Sequence, residues 1–270
     1  MRATQAWGTV LVTGASAGLG HAFCHQLAAA GSDIVAVARR ADRLEQLARD
    51  LGSAHGVRVT PIVADLADPA APEMICTRLA GAGIRIDTLV NNAGYGVPGR
   101  FLSQPWSVHA RYQNVMLGAV AQLSYALLPA MLAQGHGRVI NVASLAGFLP
   151  GTAGHTLYAA SKAWMIHFSE SLDLEYRAEG VRVCAVCPGF TYTEFHDVTG
   201  TRAQVARLPA WLWATAETVV RDSLTAVENG HAVFIPGRIN RMIARAARWL
   251  PRAWIYQLSA RESRRFRDAR

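Results

Sequence analysis

Short runs rich in valine and isoleucine alternate along the chain with longer segments in which apolar residues recur at helical spacing. The strand-like runs read TVLVT, DIVAVA, VRVTPIVA, DTLVN, GRVINVA, VRVCAVC and HAVFI. Strands separated by helix-length segments are typical of repeated β-α units, in which helices cover both faces of a parallel sheet. The pattern therefore predicts an α/β fold with a doubly wound parallel sheet of about seven strands.

The pattern changes near the end of the chain. From Arg238 onward it predicts an amphipathic helix, INRMIARAARWLPRAW, which Pro251 interrupts before a basic end. No internal repeat or low-complexity linker precedes this change, and open α/β folds of this length often form one unit. We therefore expect a single domain, with residues 1–237 as its body and residues 238–270 as a C-terminal helical arm.

Composition narrows the class of protein. A hydrophobic content of 51% with 17% charged residues favours a globular protein with a large core over a disordered chain. The first strand-like run begins at Gly8, which leaves no room for a signal peptide, so we expect a cytoplasmic protein. No stretch of about 18 apolar residues is free of charges and turn formers, so a membrane-spanning helix is not expected.

The cysteines do not predict a metal site. Cys184 and Cys187 form a C-x-x-C pair on a strand-like run, where positions three apart point to opposite faces of the sheet. They are therefore poor joint metal ligands, and Cys24 and Cys76 stand alone in helix-like segments. We expect all four to be small buried hydrophobic residues in a reducing compartment.

The net charge of +8 comes largely from arginines at the end of the chain. They are Arg238, Arg241, Arg245, Arg248, Arg252, Arg261, Arg264, Arg265, Arg267 and Arg270. A basic tail without a basic groove does not favour nucleic-acid binding. Three interpretations of the arm stay open: it lies on an anionic membrane surface, it attracts an acyl-carrier or coenzyme-A substrate, or it packs on its own or a neighbouring subunit.

A glycine-rich turn, TGASAGLG, lies between the first predicted strand and the first predicted helix. Gly14, Gly18 and Gly20 stand at its turning points. A phosphate-binding turn needs residues without a Cβ so that backbone N–H groups can approach an anion, and the positive dipole end of the next helix points at the same place. The turn therefore predicts a dinucleotide site.

The end of the second predicted strand bears on which dinucleotide binds. An NAD site normally carries an acidic residue there for the ribose 2′-hydroxyl, but this chain has Arg39 and Arg40. A guanidinium matches phosphate geometry and would pair with the 2′-phosphate of NADP. We therefore expect NADP(H) to be preferred over NAD(H). Because Arg40 could also begin the polar face of the next helix, Arg39 is the better candidate.

A tyrosine and a lysine stand four residues apart in LYAASKA. In a helix, Tyr158 and Lys162 would lie on the same face, one turn apart. A neighbouring ammonium favours the phenolate and lowers the pKa of a phenol, so the pair could perform acid–base chemistry. The alternative is a solvated helix face on which the lysine stem covers the ring.

Taken together, the motifs resemble those of the short-chain dehydrogenase/reductase family, in its single-domain branch, over roughly residues 8 to 236. The matching stretches are TGASAGLG at 13 to 20, Asp65 after the third strand, NNAG at 91 to 94, Asn114, Ser144 after INVA, Tyr158 with Lys162, and PGFTYT at 188 to 193. The resemblance implies a Rossmann-type fold and a hydride transfer between nicotinamide and a carbonyl or secondary alcohol.

The resemblance also implies catalytic roles for four residues. Tyr158 would exchange a proton with the substrate oxygen, and Lys162 would lower the pKa of Tyr158 and hold the nicotinamide ribose. Ser144 would bind the carbonyl oxygen, and Asn114 would hold a water that links Lys162 to solvent. The cofactor contacts that we expect in addition to Tyr158 and Lys162 are Gly14, Ser16, Gly18, Leu19, Gly20, Arg39, Arg40, Asp65, Leu66, Asn91, Ala93, Gly94, Pro188, Gly189, Thr191 and Thr193.

The loops after Tyr158 and after Pro188 are expected to select the substrate, and the loop between Ser144 and Tyr158 adds Phe148 to their aromatic residues. Their aromatic residues predict an apolar ketone or aldehyde, with His155, Phe190 and Phe195 as candidate contacts. The loop between Ser144 and Tyr158 looks one residue longer than is common in the family. Members of the family commonly form homodimers or homotetramers through the helices that correspond here to residues 105 to 134 and 156 to 179.

A second function is compatible with a dinucleotide-binding fold. A regulator could bind the dinucleotide and sense redox state without turnover. Such a protein would have no chemical need for the set Asn114, Ser144, Tyr158 and Lys162, which is complete in this chain. The sequence therefore favours an NADP(H)-dependent carbonyl reductase or alcohol dehydrogenase that acts on CH-OH or C=O groups.

Overall fold

The computed structural model describes residues 7–194, 209–251, 253, 254, 256, 257 and 260. The strands are β1 Val10–Thr13, β2 Ile34–Ala38, β3 Val59–Val63, β4 Thr88–Asn91, β5 Gly137–Val142, β6 Val181–Val186, β7 Phe190–Tyr192, β8 Trp213–Thr215 and β9 Val233–Phe234. The α-helices are α1 Gly18–Ala29, α2 Ala41–His55, α3 Ala71–Gly81, α4 Trp106–Gln113, α5 Ala119–Gln134, α6 Thr156–Tyr176, α7 Ala216–Glu228 and α8 Arg238–Trp249.

The main sheet is parallel and has seven strands in the order β3-β2-β1-β4-β5-β6-β9. Each of the seven runs that the sequence singled out contains one of these strands, so the predicted doubly wound, Rossmann-type sheet is confirmed. The order of strands reverses between β1 and β4. In open sheets of this kind, ligands bind at such a reversal, beyond the carboxyl ends of the strands.

Helices cover the sheet on both faces, because alternate strand residues point to opposite sides. On β1, Val10 and Val12 join a cluster with residues of α1, α2 and α7. The intervening Leu11 joins a second cluster with residues of α3, α4 and α5. Strand β1 is therefore apolar without alternation, as expected of a strand that is buried on both faces.

The cysteines belong to different parts of the core. Cys184 packs in the first cluster, whereas Cys187 packs with Met165 of α6 in a third. All four thiols are free, and burial raises the pKa of Cys184 to about 12. Cys76 differs from the expectation for it, because it is only partly buried.

One helical run, Trp106–Gln134, is long and apolar enough to span a membrane by length and composition. A helix over residues 105 to 134 was expected, but not one long and apolar enough to span a membrane. Tyr112, Met116 and Leu123, which lie on this run, are buried against the sheet. Such burial is typical of the core helix of a globular protein. A π-helical turn, Asn114–Gly118, joins α4 to α5 within the run.

Two features near the carboxyl end of the sheet did not follow from the sequence. Strands β7 and β8 form a separate two-stranded parallel sheet, in which Tyr192 stacks on Trp213 with ring centroids 4.7 Å apart. A short 3-10 turn, Leu145–Phe148, follows β5, and α8 packs against it. Both features lie beside the cavity described next.

Candidate functional site

A cavity of about 630 Å³ opens at the carboxyl ends of the central strands. Its walls come from the loops after β1, β2, β3, β4, β5 and β6, which places it at the reversal of strand order. The predicted site residues on its walls are Gly14, Ser16, Gly18, Leu19, Arg39, Arg40, Asp65, Leu66, Ala93, Gly94, Ser144, Tyr158, Pro188, Gly189, Phe190, Thr191 and Thr193.

The glycine-rich turn forms one end of the cavity. Helix α1 begins at Gly18, and its N-cap residue, Ala17, has no side chain that could bond the first-turn N–H groups. Those groups remain donors for an anion. Gly14 has φ +68°, and a Cβ on it would lie 2.9 Å from the Cα of Ala93. A larger residue at position 14 would therefore clash with the strand β4 loop.

Gly20 lies where α1 approaches the end of β1 closely. It does not line the cavity, but a Cβ on it would collide with the carbonyl oxygen of Gly14 and with Asn92. The missing side chain therefore allows α1 to approach the end of β1 closely. Gly20 therefore shapes the turn, and its contact with a cofactor stays a prediction.

Two asparagines stand at the end of β4: Asn91 is its last residue, and Asn92 follows it. Asn91 does not line the cavity: it is buried, and its Nδ2 donates to Asn141 Oδ1 at 2.9 Å. Because strand residues alternate between faces, Asn92 is the one that reaches the site. Asn92 Nδ2 donates to the carbonyl oxygens of Thr13 at 2.8 Å and Gly14 at 3.3 Å. These two hydrogen bonds clamp the glycine-rich turn to the end of β4, and no sequence pattern indicated them.

Two arginines follow β2 at the cavity wall. Arg40 donates to Ser16 Oγ from NH2 at 2.9 Å and pairs with Glu194 at 3.2 Å. Glu194 also pairs with Arg43 at 2.8 Å, and these arginines hold its pKa below the usual range. In the part of the chain that the structure describes, Arg39 forms no hydrogen bond or ion pair and is exposed. Its guanidinium therefore has its donors available to an anion.

Asp65 lies between the glycine-rich turn and α4. Its carboxylate accepts from the N–H of Ala67 at 3.1 Å and from Arg111 NH2 at 2.7 Å. Partial burial acts to raise the pKa of Asp65, but the two hydrogen bonds outweigh it and hold that pKa below its usual range. Arg111 lines the cavity as well and had no signal in the sequence.

Ser144 and Tyr158 meet at the cavity wall. Ser144 follows β5, and its Oγ accepts from the N–H of Ala146 at 3.1 Å. That bond occupies one of the two lone pairs of the oxygen and leaves the hydroxyl proton available to be donated. Burial raises the pKa of Tyr158, and a hydrogen bond from Ser144 acts to lower it. The two hydroxyls therefore form a coupled pair.

Lys162 lies one turn of α6 beyond Tyr158 and is buried. Its Nζ donates to the carbonyl oxygen of Val142 at 2.7 Å and lies 5.9 Å from the centroid of the Tyr158 ring. Burial lowers the pKa of Lys162 to about 8. We expected Lys162 to lower the pKa of Tyr158. In the structure, burial raises the pKa of Tyr158 and the hydrogen bond from Ser144 acts in the opposite direction, so the influence of Lys162 stays a prediction.

Asn114 and His155 do not line the cavity. Asn114 begins the π-helical turn, and its Nδ2 donates to the carbonyl oxygen of Ala67 at 3.0 Å. His155 precedes α6, forms an isolated bridge with Gly99, and burial lowers its pKa. Phe195 lies outside the described residues. The structure thus brings Ser144 and Tyr158 together with Lys162 beneath them, whereas Asn114 holds a neighbouring loop.

The chain is similar to known proteins over most of its length. Residues 8–203 match the family model for short chain dehydrogenase. An uncharacterized oxidoreductase of Myxococcus xanthus is 41% identical over 194 residues, which cover 71% of this chain and 75% of that protein.

Two solved structures have the same overall fold. A short-chain dehydrogenase from Sphingobium yanoikuyae in complex with NADPH aligns with a TM-score of 0.79 and 31% identity, over 97% of this chain and 98% of that one. The bulky-bulky ketone specific alcohol dehydrogenase from Comamonas testosteroni aligns with a TM-score of 0.75 and 28% identity, over 99% of this chain and 97% of that one.

Proposed function

The chain belongs to the short-chain dehydrogenase/reductase family, and we propose that it reduces apolar ketones or aldehydes with NADPH, using Tyr158 as the proton donor. It is an NAD(P)-dependent oxidoreductase that acts on CH-OH or C=O groups. One observation carries the proposal: the hydroxyls of Ser144 and Tyr158 form a coupled pair at the wall of the cavity, next to the buried Lys162.

The cavity fits a nicotinamide dinucleotide at its phosphate end. The uncapped N-terminus of α1 and the close approach at Gly14 leave backbone donors where a pyrophosphate would be held. Arg39 would bind the 2′-phosphate, because its guanidinium lines the cavity and has no partner among the described residues. Arg40 supports that end through Ser16. This arrangement supports a preference for NADP(H).

The reaction needs one hydride and one proton. When bound, the nicotinamide supplies the hydride. Tyr158 donates its phenolic proton to the carbonyl oxygen, and the raised pKa of the phenol keeps it protonated at neutral pH. Ser144 donates its hydroxyl proton, which the bond from Ala146 does not use, to the same oxygen and fixes it. In the oxidation direction, the phenolate of Tyr158 accepts the proton of the alcohol, and Ser144 keeps its hydrogen bond to the same oxygen.

Lys162 returns a proton to the site. A pKa of about 8 allows its ammonium to lose and regain a proton near neutral pH, and its bond to Val142 holds it beneath Tyr158. Asn114 stands at the π-helical turn, which packs against α6. We assign it the water that would link Lys162 to solvent, although its side-chain amide also anchors Ala67.

The substrate end of the cavity is apolar. Leu145, Leu149 and Phe190 line it, and Phe190 packs on Trp213 with ring centroids 5.6 Å apart. The Comamonas testosteroni enzyme, which resembles this chain, is described as specific for bulky-bulky ketones. Apolar walls and this similarity together support a bulky, poorly water-soluble ketone as substrate.

The protein is further proposed to form homodimers or homotetramers through α5 and α6. Two large apolar side chains on these helices are exposed, Tyr125 by 81% and Leu174 by 84%. The proteins described above as similar to this chain are oxidoreductases and dehydrogenases. They do not support the alternative that the protein is a regulator without turnover.

The test measures oxidation of NADPH and of NADH across a panel of hydrophobic ketones and aldehydes. We expect turnover with NADPH and a loss of about 10²- to 10⁴-fold in Tyr158→Phe, the range for removal of a general acid. Tyr176→Phe, on the same helix but outside the cavity, is the matched control. Equal turnover by Tyr158→Phe and wild type would refute the assignment, and NADPH binding without any turnover would favour the regulator.

A further inference from the structure

Helix α8 presents an apolar strip to solvent. Ile239, Met242, Ala246 and Trp249 recur at three- and four-residue intervals, so they lie on one face, and all four are exposed. The exposed fraction reaches 66% for Met242 and 84% for Trp249. The strip is an outer face of the helix, because the buried Ala244 lies on the opposite side.

A stripe of arginines runs beside the apolar strip. It consists of Arg238, Arg241, Arg245 and Arg248, of which Arg241 is half-buried and donates to the carbonyl oxygen of Ile235 at 3.2 Å. The sequence contains no aspartate or glutamate between Glu228 and Glu262. The arginines of α8 therefore have no acidic partner on their own helix. On the exposed half of α8, a cationic stripe lies directly beside an apolar strip.

The aromatic residues after α8 extend the same chemistry. Trp254 is exposed by 64% and Tyr256 by 65%. Indole and phenol rings favour the boundary between water and lipid, because each has an apolar body and a polar group. A helix with arginines on one side and tryptophan on the other is the type that lies flat in a membrane interface.

We propose that α8 docks the protein on an anionic membrane surface, with Met242 and Trp249 inserted among the lipids and Arg245 and Arg248 at the phosphates. The positive charge of α8 favours anionic lipid over a second copy of this chain as its binding partner. A copy would bring the same arginines against one another, whereas anionic headgroups neutralise them.

Docking would place lipid beside the cavity. Helix α8 packs on the Leu145–Phe148 turn, and a Cβ on Gly189 would lie 2.5 Å from Asn240 Oδ1. Leu145 and Gly189 both line the cavity. This arrangement implies that the substrate is drawn from the membrane, an inference that rests on the proposed function. The docking itself does not depend on turnover.

The test is co-sedimentation of the full chain with vesicles of phosphatidylcholine alone and of phosphatidylcholine mixed with phosphatidylglycerol. We expect binding to the anionic vesicles, weakened by salt, and little binding to the neutral ones. The double variant Met242→Glu/Trp249→Glu should bind about tenfold or more weakly, and Arg245→Glu/Arg248→Glu likewise, since each basic residue contributes roughly fivefold. Circular dichroism checks that each variant is folded.

The matched control is Arg49→Glu/Arg58→Glu, which changes the net charge equally at the opposite edge of the sheet. It should bind anionic vesicles almost as wild type does. The proposal fails if wild type ignores the anionic vesicles, if neutral vesicles bind equally well, or if the control weakens binding as much as the α8 variants. It also fails if the α8 variants change only the oligomeric state, or if an acidic acyl-carrier protein is bound and vesicles are not.

Discussion

Lys162 Nζ lies 5.9 Å from the centroid of the Tyr158 ring and donates to the carbonyl oxygen of Val142 at 2.7 Å. Both residues are on α6, one helical turn apart, so the spacing is fixed by the helix itself. Val142 ends β5, two residues before Ser144. The lysine therefore ties the helix that carries the phenol to the strand that positions the serine, while burial lowers its pKa to about 8.

Burial of this lysine predicts an unusual dependence of stability on pH. Below about pH 8 the lysine is protonated in both states, and the folded state carries the full cost of burying the charge. Between about 8 and 10.5 the unfolded chain binds more protons than the folded one, so the contribution to stability rises with pH. The free energy of unfolding of Lys162→Met, relative to wild type, should therefore be higher at pH 7 than at pH 10.

Chemical denaturation at both pH values measures this difference. Loss of the hydrogen bond to Val142 changes the free energy of unfolding of Lys162→Met by an amount that does not depend on pH. The part of the difference that varies with pH therefore reports the titration of Lys162. A difference that is constant from pH 7 to pH 10 would show that Lys162 does not titrate in this range.

Ser144 affects both the rate and the pH profile of reduction. Ser144→Ala removes the donor to the carbonyl oxygen and should lower kcat by about 10²-fold, as loss of one such donor does in other enzymes. It also removes the hydrogen bond that lowers the pKa of Tyr158, so this pKa should rise further. The fall in reduction rate at alkaline pH should therefore move to higher pH. Ser144→Thr keeps the hydroxyl and should keep the profile, and an unmoved profile in Ser144→Ala would contradict the coupling.

The sequence predicted the sheet well because buried parallel strands are apolar on both faces. Every residue of β2 is buried, so the run DIVAVA was unambiguous. Strands β7 and β8 lacked such a signal: each has only three residues, and their pairing joins segments on either side of residues 195–208.

The residues of the candidate site were predicted less accurately than the strands, because a sequence motif does not show on which face of a strand each residue lies. Within NNAG, the motif drew attention to Asn91, yet alternation along β4 places Asn92 at the cavity. The pairing of Glu194 with Arg40 and Arg43 spans about 150 residues and depends on tertiary structure alone. No local pattern could have indicated it.

The guanidinium of Arg39, which has no partner among the described residues, predicts cofactor preference. Arg39→Ser should raise KM for NADPH by about 10- to 100-fold, the range for loss of a charge-assisted hydrogen bond, and leave KM for NADH nearly unchanged. Arg49→Ser, an exposed arginine on α2, is the control and should change neither value. Steady-state kinetics with both cofactors measures the ratio. Equal increases in KM for NADPH and KM for NADH would show that Arg39 does not contact the 2′-phosphate.

Asn92 and Asn91 predict different consequences for the same substitution. Asn92→Ala leaves the carbonyl oxygens of Thr13 and Gly14 without their donor, so the glycine-rich turn loses its clamp and NADPH should bind about tenfold more weakly. Asn91→Ala removes a buried bond to Asn141 and should lower the free energy of unfolding by about 1–3 kcal/mol, while the folded protein binds NADPH normally. Denaturation curves and fluorescence titration with NADPH, run on both variants, separate the two effects. Weakened NADPH binding in Asn91→Ala but not in Asn92→Ala would reverse the assignment and return the contact to the residue that the motif first suggested.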